Sequence, residues 1–110
     1  MKISFDFDGT LDRHYMQELA QSFINRGDEV WIVTSRVSNP VKWNRDVEEV
    51  ATMLGIRSNI FYTEGDNKWK FLKNHAFDFH FDNDVTEFKE ALKNGCPTII
   101  IPILDLLEEI

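Results

Sequence analysis

A single cysteine, Cys96, leaves this chain unable to close an internal disulfide. Its stability must come from a packed core, and a reducing compartment is the expected setting. Prolines are also scarce, three in 110 residues, so few positions interrupt regular backbone hydrogen bonding. Long apolar runs are missing: the longest, around 98–104, is far short of the ~20 residues that span a bilayer. The N-terminus runs straight into an alternating segment with no leader pattern, so a soluble, cytoplasmic protein with no membrane partner is expected. Basic residues are the minority, 12 against 19 acidic, for a net charge of −7. That balance argues against broad binding to a phosphate backbone, which needs a basic surface. Repeats and low-complexity tracts are absent, and the length suits one domain covering 1–110.

What is present is a regular alternation of two periodicities. Residues 2–8 alternate apolar and polar as a strand, which puts Asp6 and Asp8 on one face at its end. The spacing of Leu19, Phe23 and Ile24 predicts a helix over 16–26, closed by Gly27. Glu29–Thr34 reads as a strand buried on both faces. A helix over 42–54 follows, with Trp43, Val47, Val50 and Leu54 on one stripe and Gly55 at its end. Then come a strand at 59–63, a helix at 67–74 with Asp66 as N-cap, a strand at 77–81, a helix at 84–94 and a strand at 98–101. Five strands alternating with four helices predict an α/β domain: a Rossmann-like, doubly wound, mainly parallel sheet with helices on both faces.

In such sheets chemistry gathers beyond the carboxyl ends of the strands. The residues there are Asp6 and Asp8, then Thr34-Ser35-Arg36, and then Asp82-Asn83-Asp84, with Lys68 and Lys70 at the start of a helix. Two carboxylates so close repel unless a cation compensates them. Carboxylates, a hydroxyl and an ammonium delivered to one edge suit a hard cation, Mg²⁺, beside a phosphoryl group. Lys68 and Lys70 project about 200° apart on a helix, and Lys68 lies nearer the strand ends. Among the three histidines, His80 shares a face with Asp82 and reads as a packed strand residue, and none has zinc-ligand spacing.

DFDGTL at 6–11, VWIVTSR at 30–36, Lys68 before an apolar-patterned helix, and HFDND at 80–84 together resemble the four ordered motifs of the haloacid dehalogenase (HAD) superfamily of phosphohydrolases. The resemblance runs over about residues 2–104 and implies a HAD-like phosphatase. Asp6 would be the nucleophile, forming an aspartyl-phosphate, and Asp8 the general acid and base. Thr34 and Lys68 would grip the phosphoryl group, and Mg²⁺ would sit on the Asp6 carboxylate, the Asp8 main-chain carbonyl and Asp82. The fourth motif departs from the commoner paired Asp-Asp, so support for the metal ligands falls to Asn83 or Asp84.

The gaps after Leu11 and before Lys68 are too short for the cap domains of many relatives in that superfamily. An uncapped site admits large substrates, or a partner subunit supplies the lid. The loop at 35–44, with Arg36, Lys42 and Trp43, is the locally basic, aromatic stretch near the strand ends. Gly9, Ser35, Arg36, Lys42, Trp43, Asn83 and Asp84 complete the candidate set as substrate contacts. The expected substrate is a nucleotide or nucleic-acid end phosphate. The alternatives are a phosphoprotein or other small-molecule phosphatase, or a catalytically silent binding protein of the same fold.

Overall fold

The computed structural model describes residues 1–101, and the last part of the apolar run around 98–104 lies outside them. In chain order the elements are β1 (Lys2–Phe5), α1 (His14–Asn25), β2 (Glu29–Thr34), α2 (Arg45–Leu54), β3 (Ile60–Tyr62), α3 (Lys68–Asn74), β4 (Phe79–Asp82), α4 (Val85–Lys93) and β5 (Thr98–Ile100). The strands pair in the order β3-β2-β1-β4-β5, and every pairing among the described residues is parallel. This is a Rossmann-like α/β sheet.

The chain steps outward from β1 to β3, then returns past β1 to build β4 and β5. With crossovers of constant hand, that reversal moves the later helices to the opposite face. The packing agrees. Ile3, Phe5, Val30 and Ile32 point to α1 and α2, where Met16, Ala20, Val47, Ala51 and Leu54 complete one core. Val33 points the other way, to Phe71 and Leu72 of α3 and Ala91 of α4. The strand order reverses between β1 and β4, and the crevice there opens at the carboxyl ends of both.

Several boundaries differ from the sequence reading. β1 ends at Phe5 rather than at residue 8. Beyond it the backbone makes one wide turn, in which Leu11 N–H donates to the Asp6 carbonyl and Asp12 N–H to the Phe7 carbonyl, both at 3.1 Å. Asp6 and Asp8 therefore belong to a turn. The helix expected over 42–54 is divided: a tight turn at Val41–Asn44 precedes α2, and Gly55 closes α2 in a left-handed conformation. Trp43 leaves the apolar stripe and is 64% exposed. Asn67, not Asp66, stands at the N-cap position of α3, while Asp66 pairs with Lys70 at 2.9 Å. Asp84 caps α4, accepting from the N–H groups of Thr86 and Glu87.

Candidate active site

The turn after β1 carries the first half of the site. Gly9 has φ +78°, a conformation that strains any residue with a side chain. A Cβ built there would also collide with the Asn83 amide. Asn83 packs this closely because it serves the same turn. With its nitrogen toward them, the amide lies 2.9 Å from both Asp6 Oδ2 and the Asp8 main-chain carbonyl. Thr10 Oγ1 also donates to Asp6 Oδ2, at 3.3 Å.

Behind the turn runs a buried chain of charges. Lys68 Nζ donates to Asp6 Oδ1 at 2.8 Å and to Asp82 Oδ2 at 2.7 Å. His80 Nε2 lies 2.8 Å from the same Asp82 oxygen, and His80 Nδ1 lies 2.7 Å from Ser4 Oγ. Asp84 N–H donates to the other Asp82 oxygen at 3.0 Å. The residues from Ser4 to Asp6 along this chain are all buried. Two carboxylates share one ammonium, and their charges divide unequally. Burial, reinforced by Asp82, pushes the Asp6 carboxyl up to about 7 against the pull of Lys68. Burial would raise Asp82 too, but His80 and Lys68 outweigh it and hold that carboxyl at about 2. Burial alone would lower the Lys68 ammonium, yet Asp6 and Asp82 hold it above its ordinary value. For His80, burial outweighs Asp82 and the imidazole titrates below its usual range.

The Asp8 side chain faces elsewhere. Its two oxygens take Arg36 Nη2 at 2.7 Å and Nε at 2.9 Å, and the same guanidinium grips Asp46 at 2.7 and 2.8 Å. Asp46 is held below the usual carboxylate range by that contact.

A cavity of about 460 Å³ collects Asp6, Asp8, Ser35, Lys68, Asn83 and Asp84 from the candidate set. Arg36, Lys42 and Trp43 line a neighbouring cavity of about 430 Å³, together with Arg45 and Asp46. Thr34 and Asp82 line neither of these cavities. The Thr34 hydroxyl is fully buried and accepts the Arg36 N–H at 3.3 Å, and Asp82 is buried behind Lys68. Of the two lysines weighed, Lys68 is the one at Asp6. The sequence reading gave no role to Thr10, Asp46, Ser4 or His80. His80 had a signal in its alternation with Asp82, whereas Asp46, in the first turn of α2, had none.

Among the described residues, no three His, Cys, Asp or Glu side chains converge as a metal site. The oxygen set at the turn is mixed instead. The Asp6 carboxylate and the Asp8 carbonyl meet at the Asn83 amide, and half a rotation of that amide offers its oxygen at the same point. These are hard donors beside a carboxylate pair that Lys68 only half neutralises, a set that fits Mg²⁺. The chain is thus an α/β domain with a buried Asp–Lys–Asp cluster at the switch point of a Rossmann-like sheet. Family models, curated proteins and solved structures give no match to it.

Proposed function

We propose that this chain is a Mg²⁺-dependent phosphomonoester hydrolase of HAD-like design, working through an aspartyl-phosphate on Asp6. The observation that carries the reading is the buried Asp6–Lys68–Asp82 cluster opening on a polar cavity at the sheet's switch point. An Asp6 oxygen attacks phosphorus as the ester P–O bond breaks, and Asp8, released from Arg36 and protonated from solvent, gives that proton to the leaving oxygen. Asp8 then takes a proton from the water that attacks the phosphoryl group, releasing inorganic phosphate and restoring Asp6. Lys68 and the Ser35 segment hold the phosphoryl oxygens. The Asp6 carboxylate and the Asp8 carbonyl, with Asn83 or Asp82, would hold Mg²⁺, whose charge offsets the repulsion between Asp6 and an anionic ester. Turnover of an aryl phosphate is expected with Mg²⁺ and lost in excess chelator, and Mg²⁺ alone should raise the melting temperature. Full turnover in chelator, or none on any phosphomonoester with Mg²⁺, overturns the reading.

The position of Asp8 supports a substrate class. The leaving group must lie beside its proton donor, and Asp8, which lines the first cavity, pairs with Arg36, which lines the second. Among the described residues Lys42 and Arg45 make no ion pair there, and Trp43 offers an exposed ring face. An anionic leaving group with a flat ring suits these walls, which favours a nucleotide or nucleic-acid end phosphate. The double variant K42A/W43A should raise KM for a phosphorylated oligonucleotide end about tenfold, equivalent to about 1.4 kcal/mol. An equal rise for an aryl phosphate would mean that the loop supports the catalytic centre instead. No rise for the oligonucleotide would move a phosphoprotein or sugar phosphate to the front.

A further inference from the structure

The parallel register of β1 and β4 sets Ser4 directly beside His80, in the layer covered by α3 and α4. Both are almost completely buried, at 0% and 2% exposure, where an apolar pair would pack without needing partners. A buried polar pair gains little over an apolar one in stability, so its value lies in what it orients. Asp82 is an acceptor only, so His80 Nε2 must be the donor to it. The Ser4 hydroxyl is then free to donate to Nδ1, which fixes the ring's plane.

We infer that His80, fixed by Ser4, is a positioning residue that immobilises Asp82 and so keeps Lys68 aimed at Asp6 throughout the reaction. The inference rests on Asp6 being the phosphoryl acceptor. Lys68 is shared by two carboxylates, at 2.8 and 2.7 Å. Once Asp6 carries the phosphoryl group its charge is gone, and Asp82 is the remaining anchor of the ammonium. Three donors from separate places hold Asp82: Lys68, His80 and the Asp84 N–H. Losing the His80 donor lets the carboxylate rotate, and Lys68 with it, at the stage when the phosphoryl oxygens need that charge.

The effect belongs to the transition state and the intermediate more than to the encounter with substrate, so it falls on kcat. In protein labelled with ¹⁵N at histidine, long-range ¹H–¹⁵N spectra should show His80 as the Nε2–H tautomer, in the wild type and in S4A alike, because Asp82 alone requires that proton. His80→Phe should lower kcat for an aryl phosphate about 10- to 100-fold, the range seen for outer partners of metal-site ligands, while KM stays within about threefold. His80→Gln, which restores an N–H donor toward Asp82, should recover most of that loss. An Nδ1–H tautomer in the wild type, unchanged kcat in H80F, or equal losses in folded H80F and H80Q would each overturn the inference. If H80F does not fold, the tautomer and the H80Q rate decide it. An inert wild type overturns the phosphatase reading and the catalytic role with it, whereas an active wild type with an indifferent H80F overturns this inference alone.

Discussion

Asp6→Asn is expected to abolish turnover and, at neutral pH, to make the protein more stable. Loss of the attacking oxygen should lower kcat by ~10³-fold or more. The gain in stability follows from the raised carboxyl. In the folded protein Asp6 keeps its proton up to about pH 7, whereas an unfolded aspartate releases it near ~3.9. Between those values the unfolded chain binds fewer protons, so the wild type loses stability as pH rises from about 4 to about 7. Asparagine cannot ionise and escapes that loss. Asp82, held at about 2, contributes in the opposite sense, but it does so in both proteins and largely cancels. Urea denaturation should therefore find the two proteins similar near pH 4, with D6N ahead by about 4 kcal/mol at pH 8. A stability difference that does not change with pH would mean that Asp6 is not the carboxyl that burial holds protonated.

Removing the shared cation should have the reverse effect on stability. Lys68→Met keeps most of the aliphatic stem in a pocket where the lysine is 3% exposed, but it leaves Asp6 and Asp82 facing each other without a counter-charge. Breaking a buried ion pair from one side costs about 3–5 kcal/mol, because the remaining charge stays desolvated. Both carboxyl groups then titrate higher in the folded state, so the deficit deepens as pH rises and shrinks as it falls. Denaturation at pH 5 and pH 8 should show this, with the larger loss at pH 8. Lys70→Ala is the comparison: that lysine pairs with Asp66 on the surface and should change little. K68M as stable as the wild type at pH 8 would mean that water or a rearranged side chain replaces the ammonium. The same variant should be inactive even where it folds, since the phosphoryl oxygens lose their cation.

The α/β alternation, the extent of β2 and the close of α2 at Gly55 were legible in the sequence. These rest on periodicity and on residues with restricted or unusual backbone freedom, which act over a turn or a strand. The segments at the carboxyl ends of β1 and β4 were legible as segments, but β1 ends at Phe5, before its carboxylates, so the residue types did not mark where the strand stops. The wide turn after Phe5 was not legible, because its i→i+5 bonds join backbone groups that every sequence carries. Nor was the exposure of Trp43, whose apolar spacing matched the stripe of α2 until the chain broke at Asn44.

Partnership was decided by the tertiary structure. Asp6 and Asp8 lie two residues apart, yet one turns inward to Lys68 and the other outward to Arg36. Asp82 and Asn83 are neighbours, yet Asn83 meets the Asp8 carbonyl while Asp82 lies behind Lys68. Ser4 and His80 are separated by 76 residues and meet because β4 adds to the open edge of β1. A side chain's type and spacing are local properties that a sequence displays directly. Which carboxylate shares a cation, and which is left to carry a raised pKa, depends on strand order and burial, and those exist only once the sheet has assembled.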